Sequence, residues 1–127
     1  MARVTIRIDF ESGHALGPGK IRLLEQVDET GSIRGAASAM KMSYRRAWLL
    51  LQATEAIFGA PLAEKETGGP RGGGARLTAL GRKVIGHYRK AERLGGGAAA
   101  AASIGALSKM SASPNKASKV KKPRKRR

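Results

Sequence analysis

The chain has 127 residues, with 25 Lys+Arg against 9 Asp+Glu and a formal net charge of +16, a length that suits one domain and an appendage. That charge exceeds what solubility needs and points to a polyanionic partner, either nucleic acid or an anionic membrane surface. The absence of cysteine excludes a disulfide framework and any thiolate zinc site, and it fits a reducing compartment.

No run approaches the 18 or so continuous apolar residues of a membrane span. The alternating start "MARVTIRIDFES" lacks the unbroken apolar core of a signal peptide. A soluble intracellular protein is expected. The charge is uneven: residues 1–94 carry 16 basic and 9 acidic side chains, whereas residues 95–127 carry 9 basic and no acidic ones. A moderately basic domain is therefore followed by an intensely basic appendage.

Along the chain, "RVTIRIDF" (Arg3 to Phe10) alternates polar and apolar residues, with Val4, Ile6, Ile8 and Phe10 on one face. Period two predicts a half-buried strand. "ESGHALGPG" follows as a loop, in which Gly17, Pro18 and Gly19 interrupt regular structure. From Lys20 to Thr30, Ile21, Leu24 and Val27 form one helical stripe, and Gly31 ends it as a C-cap. Ser32 is placed to cap a short helix over 32–40, whose small Ala36 and Ala37 allow a close neighbour. After the tight turn "KMS", Ser43 caps a second helix to about Phe58, with Ala47, Leu51, Thr54 and Phe58 facing the core; Gly59 and Pro61 stop it. "PLAEKE" and "ARLT" are short extended segments joined by "TGGPRGGG", which suits a hairpin tip. Thr78 caps a last helix, "ALGRKVIGHYRKAERL", with Leu80, Val84, Ile85 and Tyr88 on its apolar side.

After Leu94 order is expected to end. "GGGAAAAASIGALS" (within 95–113) is a low-complexity linker with an alanine run capable of transient helix, and residues 114–127 form a disordered Lys/Arg-rich tail. The domain is thus residues 1–94, mainly α with a small β component.

Strand, helix, two closely spaced helices, hairpin and helix follow the order of a winged helix-turn-helix. In that motif the amino end of the second helix meets base edges in the major groove while the first helix braces it. This accounts for "SYRRAW" (Ser43 to Trp48), where polar residues crowd the first turn of a helix that is otherwise apolar. Arg45 and Arg46 can bind guanine or clamp phosphate through paired hydrogen bonds. Ser43 and the amides of the helix start favour a phosphate. Taken alone, the arginine pair is an ordinary solvated face; the short turn, the small-residue first helix and the +16 charge turn the reading toward DNA.

In the glycine-dense stretch, Arg71 and Arg76 supply charge where backbone can approach a groove edge; a loose hairpin without a ligand fits that stretch equally. A phosphate-binding loop is excluded, because "GPGKI" has Ile21 where Ser or Thr would follow Gly-Lys. Trp48 either edges against DNA or packs beneath the wing, and Leu49 and Leu50 suggest a dimer contact or extra burial within the domain.

"GSIRGAASAMKMSYRRAW" followed by "PLAEKETGGPRGGGARLTALGRKVI" resembles the N-terminal domain of ModE-type molybdate-responsive regulators, which is itself similar to the winged helix of LysR-type regulators. The resemblance covers roughly residues 17–93. It implies a homodimer on double-stranded DNA with a two-fold related operator. It places Ser32, Arg34, Ser43, Tyr44, Arg45, Arg46 and Trp48 on the reading motif and Thr67 to Arg76 on the wing. The family's molybdate-binding region lies C-terminal to this domain, where this sequence has an alanine linker and a basic tail. No oxyanion site carries over, and molybdate sensing is expected to be absent.

In the tail, Lys121, Lys122, Arg124 and Lys125 would add phosphate contacts without sequence information. The leading expectation is a sequence-specific transcriptional regulator in the cytoplasm of a bacterium, associated with the nucleoid. The alternative is an architectural nucleoid-type protein with little sequence preference. An enzyme is not expected, nor a cofactor. His14 and His87 stand apart without a carboxylate at ligand spacing, and Asp28, Glu29, Glu64 and Glu66 look like solvated charges.

Overall fold

A computed structural model of the protein describes residues 5–66, 73–95 and 97–112. The first strand, β1 (Ile8–Asp9), is short and pairs antiparallel with β2 (Ala15–Leu16). The second strand lies inside the stretch expected to be a loop. Gly13 makes it possible: at φ 94° it adopts a left-handed turn, and the Phe10 N–H donates to the His14 carbonyl across it at 2.9 Å. The period-two face holds, since Ile8 and Phe10 are buried and Ile6 is half-buried. Val4 lies outside the described residues.

Helix α1 (Pro18–Thr30) begins two residues before the expected Lys20. Pro18 initiates it, because the first helical position needs no N–H and favours the fixed φ of proline. Ile21, Leu23, Leu24 and Val27 are buried, and Gly31 closes the helix at φ 80° with its N–H on the Val27 carbonyl. Helix α2 (Ile33–Ala39) follows, then α3 (Tyr44–Phe58), β3 (Ala63–Glu66), β4 (Gly74–Leu77) and α4 (Ala79–Arg93). The stripe Ala47, Leu51, Thr54 and Phe58 is buried as the spacing predicts. The Thr54 hydroxyl is satisfied by donating to the Leu50 carbonyl at 2.7 Å.

Strands β3 and β4 form an antiparallel ribbon in register Ala63↔Leu77 to Glu66↔Gly74. Helix α1 lies at the centre, packed against α2, α3 and α4. It is tied to α4 by a two-pronged ion pair, in which Arg89 donates to both Glu25 oxygens at 2.7 and 2.9 Å and also to Glu92 at 2.7 Å. The hydrogen bonds to Glu25 hold the Arg89 guanidinium above its ordinary pKa. Tyr88, fully buried, donates its hydroxyl to the Ile6 carbonyl and so fastens the amino-terminal segment to α4.

The expectation that order ends at Leu94 is corrected. A 3₁₀ turn (Gly97–Ala100) leads into α5 (Ala101–Met110), which packs on α4 and buries Ala100, Ser103 and Leu107. The Ala112 N–H then bonds the Ile57 carbonyl at 2.8 Å, at the carboxyl end of α3. Alanine has the best helix propensity, and Ile104, Leu107 and Met110 give this segment one apolar edge. Its composition conceals that edge, because its few large apolar residues stand among alanine, glycine and serine.

Candidate nucleic-acid interface

The α2–turn–α3 unit is built from three local devices. Ser32 caps α2 by accepting the Gly35 N–H at 2.8 Å, and Ser43 caps α3 by accepting the Arg46 N–H at 3.0 Å. Each such cap is worth roughly 1 kcal/mol. Between them, Lys41 takes a left-handed conformation at φ 58°. Its N–H bonds the Ser38 carbonyl at 3.1 Å, and the Met42 N–H bonds the Ala37 carbonyl at 3.0 Å. This is a Schellman closure with lysine where glycine is usual, and it reverses the chain within three residues.

The capping bond fixes the first turn of α3, from which Arg45 and Arg46 project as exposed side chains. Among the described residues neither guanidinium has an ion-pair partner. Ser43 uses its oxygen as an acceptor for the cap, which leaves its O–H able to donate to a phosphate. Tyr44 is half-buried, not projecting like the arginines; its ring lies under the Arg34 guanidinium, 4.7 Å from the ring centre. Arg34 on α2 and Tyr44 on α3 thus form one surface across the turn.

The β3–β4 ribbon lies beside that surface. A cleft of about 150 Å³ is lined by Arg34, Tyr44, Lys65, Glu66 and Gly74, among others. A second space of about 100 Å³ separates the flank of α3, with Trp48, Gln52 and Glu55, from Lys65 and Ala75 on the ribbon. Trp48 is 39% exposed along this seam and Leu49 is 47% exposed on the adjoining face. Neither is core. Arg76 is exposed and pairs with Glu66 at 3.4 Å, an exposed contact worth little in water.

Of the residues expected to meet DNA, Arg34, Ser43, Tyr44, Arg45, Arg46 and Trp48 are brought to the α2–α3 surface, Arg76 is exposed on β4 on the ribbon face opposite Lys65, and Ser32 serves the cap of α2. Thr67, Arg71, Lys121, Lys122, Arg124 and Lys125 lie outside the described residues. Sequence reasoning missed Lys65, an exposed cation lining both spaces. It is flanked by Glu64 and Glu66, so it looked like part of a neutral solvated strand; its alternation with them along β3 was the available signal.

A short helix joined by a tight turn to a longer one, with an exposed basic first turn on the second and a β ribbon alongside, defines a winged helix-turn-helix of the DNA-binding kind. The chain belongs to the bacterial regulatory helix-turn-helix proteins of the lysR family, whose model matches residues 19–82. It is similar to the molybdenum transport protein ModE of Azotobacter vinelandii, with 37% identity over 92 residues that cover 72% of this chain and 33% of that protein. The transcriptional regulator ModE of Haemophilus influenzae is 36% identical over 90 residues, covering 71% of this chain and 35% of the relative. The molybdenum-pterin-binding protein MopB of Rhodobacter capsulatus is 39% identical over 77 residues, covering 61% and 28% respectively. The chain therefore spans about a third of the length of these curated relatives. Among the described residues no helix is long and apolar enough to cross a membrane.

Proposed function

We propose that this chain is a sequence-specific transcriptional regulator that reads duplex DNA with the first turn of α3. One observation carries the reading: Arg45 and Arg46 project unpaired from a capped helix start, beside a ribbon that presents Lys65. The cap aims the helix, the two guanidinium groups supply the bidentate donors that suit guanine, and Arg34 with the ribbon contacts flanking phosphates. Exposed Leu49 and the two-fold operators typical of helix-turn-helix dimers support a homodimer. The setting is the bacterial cytoplasm and nucleoid.

Arg45→Ala tests the reading directly. At a duplex selected from random sequence, it is expected to weaken binding by about 1–3 kcal/mol and to relax the preference at one base position. An equal loss on every sequence would favour an architectural protein that holds DNA without reading it.

The reading includes independence from molybdate. Its support is the stretch after α4, which here forms α5 and a basic segment. Molybdate titrated into a gel-shift assay is expected to leave the dissociation constant unchanged; a severalfold shift would contradict this.

A further inference from the structure

The angle between the reading helix and the ribbon decides whether both can reach one duplex, and a single carboxylate joins them at the root. Glu55, three turns into α3, accepts the Leu62 N–H at 2.8 Å and the Ala63 N–H at 3.3 Å through the same oxygen. These are the amides that lead into and open β3. The Leu62 carbonyl in turn accepts the Thr78 N–H at 3.0 Å, and the Thr78 hydroxyl donates to the Pro61 carbonyl at 2.9 Å, so both strands leave from one hydrogen-bonded root.

Farther out, the ribbon is not packed tightly on α3, because the 100 Å³ seam lined by Trp48, Gln52 and Lys65 intervenes. The other hydrogen-bonded tether among the described residues is the Ala75 N–H on the Gly31 carbonyl at 2.8 Å, which, with buried Ala75 and Leu77, ties β4 to α1 and the α1–α2 corner and not to α3.

We propose that Glu55 is a positioning residue for DNA binding: by gripping the Leu62 and Ala63 amides, it sets the pitch of the ribbon against the reading helix, so that ribbon and helix meet the same duplex. This rests on the reading of α3 as the DNA-contacting helix. A carboxylate here is an unusual choice for a DNA-binding surface, since it repels phosphate. Its half-buried place at the root, where its charge is spent on two N–H groups, accounts for it. Without it, two amides at a partly buried turn lose their partner, and the ribbon pivots about the Ala75–Gly31 bond.

The experiment uses the full chain and a duplex selected by that chain from random sequence, mapped by hydroxyl-radical footprinting. Wild type is expected to protect a central set of positions under α3 and a flanking set under the ribbon. Glu55→Ala and Glu55→Asp, the latter keeping the charge but falling short of the amides, are expected to lose the flanking protection. They should keep the central protection and the base preference, with affinity falling by about ten-fold, the equivalent of one lost interaction of ordinary size. Glu55→Gln retains an accepting oxygen at the same reach and is expected to restore the flanking protection. Glu55→Asp and Glu55→Gln also serve if Glu55→Ala does not fold. Wild-type footprints in the alanine and aspartate variants would overturn the inference, as would a uniform loss of central and flanking protection. If the wild-type chain itself protected no duplex, the DNA reading would fail, which is a different result.

Discussion

Removing residues 114–127 is expected to flatten the salt dependence of DNA binding while leaving the preference between sequences intact. The segment carries eight of the chain's basic residues and no acidic one. Each neutralised phosphate steepens the slope of log affinity on log salt by about 0.9, so eight contacts would contribute roughly seven units as an upper limit. Over a fourfold change in salt that corresponds to about four orders of magnitude in affinity.

Phosphate contacts are blind to sequence, so the loss should be the same on a selected duplex and on random DNA. The structure supports this choice of cut: Ala112 is buried and its N–H is bonded to Ile57, so α5 and its last docked residue stay in place when the chain stops at Ser113. The measurement is affinity against salt for both duplexes, with full-length and shortened chains. Should the shortened chain lose discrimination, the basic segment would have a part in reading bases, and the division between domain and segment would be wrong.

The largest expected effect on stability comes from adding one methyl group at Gly81. Gly81 is in the first turn of α4, where intrinsic propensity favours alanine by about 1 kcal/mol. A Cβ there would press on the backbone of Leu62, well inside van der Waals distance of the carbonyl oxygen and 3.2 Å from the carbonyl carbon. That carbonyl cannot retreat cheaply, because it accepts the Thr78 N–H and the neighbouring amide is held by Glu55. Overpacking against fixed backbone costs typically 1–3 kcal/mol and sometimes more, so the steric term exceeds the propensity term.

Gly81→Ala is therefore expected to destabilise the domain by about 2 kcal/mol, read as a fall of roughly 10 °C or more in Tm. Gly86→Ala, on the exposed side of the same helix with nothing within 4 Å of the new Cβ, is expected to stabilise it by up to about 1 kcal/mol. The same substitution thus carries opposite signs five residues apart. Equal effects at both sites would show that the approach of α4 to Leu62 is not the constraint.

The candidate site was legible to the extent that it is local. Ser32, Ser43 and Thr78 were readable as caps because an N-cap bond spans three residues, and each accepts the amide that the pattern requires. The stripe on α3 was readable because one helix face needs no knowledge of what covers it. Lys41 was not readable as the left-handed residue of the turn, since lysine has no preference for that conformation and the turn is enforced by the helices on either side. Helix α5 was hidden for a related reason. It docks on α4 through Ser103 and Leu107, a polar and a single large apolar residue, too sparse a pattern to mark a buried face until α4 is in place.

By itself, the sequence determined the succession of helices, their caps, the amphipathic faces and the concentration of positive charge, because each follows from residues within about one helical turn or from composition alone. Only the tertiary structure decided that Tyr44 lies beneath Arg34, that Glu55 grips the root of the ribbon and that the chain folds back through α5 to Ile57. Those contacts join residues that periodicity does not relate, and their geometry is fixed only when the helices have packed and left these groups no other partners.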